Sequence, residues 1–105
     1  VGYNGNNGAV YNTTELSAGT STDTTFARIV LLNYAANYGI QNGAPDGLAL
    51  VKTCGSTTEV VEFICYEGTF AAEGGPAGGM TCEDIGVAQD GGTDMGTVQR
   101  VGSGA

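Results

Sequence analysis

GAPDGLALVKTCGSTTEVVEFICYEG, residues Gly43 to Gly68, reads as a turn, a strand, a second turn and a second strand. Pro45-Asp46-Gly47 has turn chemistry: proline presets φ, aspartate bonds nearby backbone, and glycine accepts positive φ. Leu48, Ala49, Leu50 and Val51 form a short apolar run, which predicts a strand covered on both faces. Cys54-Gly55-Ser56-Thr57 interrupts the pattern, and Val60 to Tyr66 resumes it with β-branched and aromatic residues. Two strands so close in sequence predict an antiparallel hairpin on which the flanking segments pack.

Upstream, Tyr3-Asn4-Gly5-Asn6-Asn7-Gly8-Ala9-Val10-Tyr11 places Asn-Gly pairs between aromatic and β-branched residues. That predicts a strand, a turn over residues 4–8 and a second strand through Tyr11. Leu16 to Gly19 closes this unit, and Thr20 to Thr25 reads as a polar loop. Phe26 to Tyr34, FARIVLLNY, is the most apolar segment. Its β-branched centre and short length favour a strand over a helix. Ala35 to Gly39 is a connection, and Ile40 to Gly43 leads into the central hairpin. Downstream, Thr69 to Met80 is a loop of small residues suited to lie over a sheet edge, with Phe70 and Met80 as anchors. Thr81 to Val87 is short and partly apolar, Asp90 to Gly96 is a loop, and Thr97 to Val101 is a last strand. About six or seven short strands with turns between them is the pattern of a β-sandwich. Residues 1–101 are expected to form one domain and residues 102–105 a tail or linker.

With 105 residues, 41% of them hydrophobic, the chain can build one modest core. Nineteen glycines against two prolines, without a three-residue period, indicate many tight turns and an all-β fold. The net charge of −8 leaves Arg28, Lys52 and Arg100 as the sole bases. Binding nucleic acid requires phosphate neutralisation by such residues, and attraction to anionic membranes has the same requirement, so neither partner is expected. No apolar run is long enough to span a membrane. The start at Val1, without methionine, fits a processed chain or part of a larger protein. The cysteines, Cys54, Cys65 and Cys82, match no metal or redox spacing, and there is no histidine to complete a zinc site. Asn12-Thr13-Thr14 is an N-glycosylation sequon. Together with the cysteines and the scarcity of bases, it points to an extracellular or cell-surface setting.

Candidate chemistry is sparse. Glu59, Glu62 and Glu67 could supply paired carboxylates, but hydrolysis needs two of them converging in a cleft, and a solvated strand face is the simpler reading. Glu83, Asp84, Asp90 and Asp94 are calcium candidates, although EF-hand spacing and its closing glutamate are missing. Serine and threonine have no histidine base, and no glycine-rich loop has the GK[ST] ending of a phosphate cradle. Tyr3, Tyr11, Tyr34, Tyr38 and Tyr66 could form a sugar-stacking patch, with packing at the core's edge as the alternative.

IQNGAPDGLALV (Ile40 to Val51), VVEFICYEGTFAA (Val60 to Ala72) and GPAGGMTCEDIGV (Gly75 to Val87) resemble the lamin-tail domain as it occurs in secreted bacterial and algal proteins. Tyr3 to Gly19 is similar to an earlier strand pair of that domain, and Gly96 to Gly104 to its last strand. The resemblance implies an immunoglobulin-like β-sandwich and a non-catalytic module without cofactors. Its bacterial members often sit beside secreted nuclease or phosphatase domains. Two departures carry expectations. The opening strand pair of the family, with its INE-like motif, has no counterpart here, so a sheet edge left open would become an assembly site. Cys65 and Cys82 stand where the family tends to have serine, and their joint departure implies a disulfide between them. Cys54–Cys65 and three buried thiols are the alternatives. The expected function is an extracellular structural module that self-associates through edge strands, as in a filament or surface layer, or packs on neighbouring domains of its parent protein. An accessory binding module of a larger secreted enzyme is the alternative.

Overall fold

A computed structural model describes residues 1–34, 39–41 and 43–88. Seven strands are found among them: β1 Gly2–Asn4, β2 Ala9–Asn12, β3 Thr20–Asp23, β4 Arg28–Leu31, β5 Asp46–Cys54, β6 Thr57–Tyr66 and β7 Glu83–Asp84. A mixed sheet runs β2-β1-β5-β6-β7, and β3 and β4 form a separate two-stranded sheet. Within the larger sheet only the β6–β7 pairing is parallel. The fold is all-β with the makeup of a small β-sandwich, the class expected from the sequence. The predicted last strand, Thr97 to Val101, and the loop Asp90 to Gly96 lie outside the described residues, as does the tail at 102–105.

The core occupies one face of the larger sheet. Tyr3 pairs with Gly47, Gly47 with Cys65, and Ala49 with Phe63. Alternation along each strand therefore puts Tyr3, Cys65, Ala49 and Phe63 on one side, and all four are buried. Gly47 is needed in the middle of this row. A Cβ there would come within 2.9 Å of the Phe70 ring. Phe70 stands edge-on to Phe63, with ring centroids 5.7 Å apart, and Tyr3 tilts against Phe63 from the other side at 5.1 Å.

Among the described residues, this face is covered by the strap from Glu67 to Cys82, which buries Ala72 and Ala77 in the same cluster. Met80, an expected anchor, is 42% exposed, so the strap is held instead by Phe70 and two alanines. Small side chains let its backbone approach the sheet closely, which a methionine would prevent.

Three further expectations are corrected. Asp46 and Gly47 belong to β5 rather than to a turn. The buried Asp46 carboxylate accepts from Gly43 N at 2.8 Å and from Gly5 N at 3.2 Å, so it ties two turns together across the sheet. The run Leu48–Val51 is not covered on both faces, since Leu50 points outward and is 44% exposed. Thr20 to Asp23, expected as a polar loop, is β3, paired residue for residue with β4.

Candidate functional site

The expected disulfide between Cys65 and Cys82 is present, with Cα atoms 5.6 Å apart. It fastens the end of the strap to the C-terminal end of β6, where Ile85 N donates to Cys65 O at 2.9 Å. Cys54 is a free, exposed thiol at the tip of the β5–β6 hairpin, so the alternative pairing of Cys54 with Cys65 does not form.

Tyr3 supplies the strap's second fastening. Its hydroxyl donates to Gly74 O at 2.9 Å and accepts from Ala77 N at 3.0 Å. Gly75 lies between these contacts with φ of 65°, and a Cβ on it would fall 2.7 Å from the tyrosine oxygen. Tyr3 is thus a core residue and not part of a sugar platform.

Tyr11 and Tyr66 converge on the other face of the sheet, at Gln41. Tyr66 donates to Gln41 O at 2.7 Å, and Gln41 N donates to Tyr11 at 3.1 Å. Burial pushes both phenols above the ordinary tyrosine range. For Tyr66 the neighbouring Tyr11, Asp46 and Glu67 add to the effect; for Tyr11 the bond from Gln41 works against it. Tyr34 is exposed, and Tyr38 lies outside the described residues. The sequon residue Asn12 is half-buried, and its Nδ2 donates to Gly39 O at 3.0 Å. The atom that would carry a glycan therefore already ties β2 to the segment below it. The cleft beside it, lined by Asn12, Thr14, Tyr34 and Leu48 among others, measures about 20 Å³. That is room for one water and far too small for an organic ligand.

Of the calcium candidates, Glu83 and Asp84 form β7 and are exposed, with Asp84 Oδ1 accepting from Gly86 N at 2.9 Å. Asp90 and Asp94 lie outside the described residues. Glu59 and Glu62 lie on β6 opposite Lys52 and Leu50, and Glu67 follows the strand with φ of 63°. Among the described residues no group of three or more metal-ligating side chains comes together, and no helix is long and apolar enough to cross a membrane.

The feature that stands out is β3–β4. This hairpin contributes no residue to the buried cluster. Thr22 pairs with Ile29 and Thr20 with Leu31, so alternation places these four on one face. Ile29 is 56% exposed and Leu31 57%, while Phe26, in the connecting turn, is 96% exposed. The turn itself is ordered by Thr24, whose hydroxyl accepts from Ala27 N at 2.9 Å and whose N–H donates to Ala27 O at 2.8 Å. Arg28 reaches Asp23 at 2.7 Å, but both side chains are about 70% exposed, where such a pair adds little stability. Sequence reasoning identified Phe26 to Tyr34 as the most apolar strand and missed that it is bare. The one signal available was its unbroken polar neighbour, Thr20 to Thr25, which offers no apolar partner.

Comparison with protein-family models, with curated proteins and with solved structures finds no match for this chain.

Proposed function

We propose that this chain is a non-catalytic structural module of an extracellular or cell-surface setting that works by self-association through open strand edges, with a filament or layer as the extended form. The observation that carries this is the β3–β4 hairpin, a two-stranded sheet outside the core with Phe26, Ile29 and Leu31 exposed. Two strands alone are marginal in water, and a third or fourth strand is what normally completes such a sheet. Exposed apolar strand edges are the surfaces that natural proteins otherwise cover or charge. The Cys65–Cys82 bond suits an oxidising compartment. The likeness of residues 40–51, 60–72 and 75–87 to the lamin-tail domain supports a module without chemistry of its own.

The test is sedimentation velocity of the oxidised chain over a wide concentration range. A sedimentation coefficient that rises with concentration is expected. A strict monomer throughout would overturn the reading and favour the accessory module of a larger secreted enzyme, of nuclease or phosphatase type.

A further inference from the structure

We propose that two copies of this chain join along the open edge of β4, antiparallel about a two-fold axis at Val30, so that their hairpins merge into one four-stranded sheet. The proposal deepens the self-association reading and rests on it.

The backbone sets the register. The bond from Thr24 N to Ala27 O fixes the phase of the ladder. In an antiparallel pair, residues that exchange backbone bonds alternate with residues that do not. Thr22–Ile29 and Thr20–Leu31 are therefore the bonded pairs within the hairpin. The N–H and C=O groups of Arg28 and Val30, and of Leu32 next along, then point to the side away from β3. None of them has a backbone partner on that side among the described residues.

A second β4 can satisfy these groups. Centring the pair on Val30 opposes Val30 to its own copy and each Arg28 to the other copy's Leu32, so all three outward residues of both chains are used. A centre at Ile29 or Leu31 would use fewer. In the same register Ile29 faces Leu31 of the second copy in closely spaced pairs, with Cα atoms about 4.5 Å apart. Four exposed aliphatic side chains then form one patch on one face. A slip by one residue would scatter that patch over both faces.

Charge favours the same place. Residues 16–34 hold one acid, Asp23, and one base, Arg28, which pair with each other. The whole net charge of −8 therefore lies outside this stretch. Two identical acidic chains repel each other over most of their surfaces, and the neutral apolar hairpin is where contact costs least. One strand edge and a few aliphatic side chains place the interface below about 1,200 Å², in the weak and reversible class. The association is self-complementary and closed at the dimer along this edge.

The experiment is sedimentation equilibrium of the oxidised chain from about 5 to 500 μM, a range that spans weak dimerisation. Val30→Pro removes an N–H that points away from β3, and proline is tolerated on an edge strand. Ile29→Lys places a charge within the patch at a position already exposed. Val61→Lys, on β6, is the control. The wild type and the control are expected to dimerise, and the two hairpin variants to bind at least tenfold more weakly. The Val30 amide should exchange more slowly as concentration rises, while that of Ile29, bonded within the hairpin, should not. Should Val30→Pro fail to fold, Ile29→Lys and the exchange of Val30 decide the matter. Association that persists undiminished in the variants would overturn this edge while leaving self-association standing. A wild type that stays monomeric would overturn both.

Discussion

Replacing Tyr3 by phenylalanine isolates one oxygen atom, and the structure sets what its loss should cost. The ring's contacts with Phe63 are kept. What disappears is a fully buried hydroxyl that bridges Gly74 O and Ala77 N at 2.9 and 3.0 Å. Ala77 is itself fully buried, so its N–H loses its partner where water does not reach, at about 1–3 kcal/mol. Gly74 is only half-buried, and water can replace the bond to its carbonyl, so that side adds roughly 0.5–1 kcal/mol. The total is about 2–4 kcal/mol. With a urea m-value of about 1–2 kcal/mol per molar for a chain this small, the midpoint should fall by roughly 1–4 M. Urea unfolding followed by far-UV circular dichroism measures it, and an unchanged m-value would show that the unfolded state is unaffected. The Ala77 amide should also lose its slow hydrogen exchange while amides of β5 keep theirs. A loss under about 0.5 kcal/mol, with Ala77 still protected, would refute the claim that this hydroxyl holds the strap down.

Three other outcomes follow from the same geometry. Replacing Cys65 and Cys82 by alanine should cost about 3 kcal/mol on the chain-entropy account for a sequence separation of 17, read as a fall in the urea midpoint; a change near zero would mean that the reduced strap stays docked. Asn12→Asp puts a carboxylate oxygen against the Gly39 carbonyl in place of a donor and should lower stability by about 1–3 kcal/mol, whereas a neutral result in thermal unfolding would remove Asn12 from the structural account. Burial raises the Tyr66 and Tyr11 pKa values in the folded chain above their unfolded values. Their contribution is therefore complete below about pH 10 and is lost as pH rises through the higher folded values. Unfolding midpoints compared at neutral and strongly alkaline pH should fall more steeply in the wild type than in Tyr66→Phe.

Much of the larger sheet is legible in the sequence because its signals are local. Cys54-Gly55-Ser56-Thr57 between two β-rich runs marks the β5–β6 turn, and Asn4 to Gly8 marks the turn between β1 and β2. The features that differ from the sequence expectation depend on distant partners. Asp46 looks like a turn residue because its role, bonding Gly5 N across 41 positions, leaves no trace nearby. Thr20 to Asp23 is polar throughout and becomes a strand only because β4 lies in register beside it. By size alone, the strap's largest side chains look like its anchors. A cover one chain thick over aromatic rings needs small ones, hence Ala72 and Ala77 rather than Met80. The disulfide came into view only through the resemblance, since three cysteines alone allow several pairings.

The hairpin shows a harder limit, because hydrophobicity predicts that a segment wants cover but not whether its own chain supplies it. Ile29, Val30 and Leu31 carry the same kind of signal as the run Val60 to Cys65 on β6, yet only β6 sends side chains into the core. On β6 the signal leads to Phe63 and Cys65, packed under the strap and pinned by a disulfide and by Tyr3. On β4 it leads to solvent. A core this small needs its fastenings: the disulfide and the Tyr3 hydroxyl on the side of the strap, and the bonds of Asp46, Asn12 and Tyr66 away from it, none of them reaching β3 or β4. Because no buried residue comes from β3 or β4, the hairpin can change partners without drawing on the contacts that hold the fold. On the proposed pairing through β4, stability and association fall to different parts of the chain. On that proposal, a charge at Ile29 is expected to weaken the dimer while leaving the unfolding midpoint of the monomer where it was.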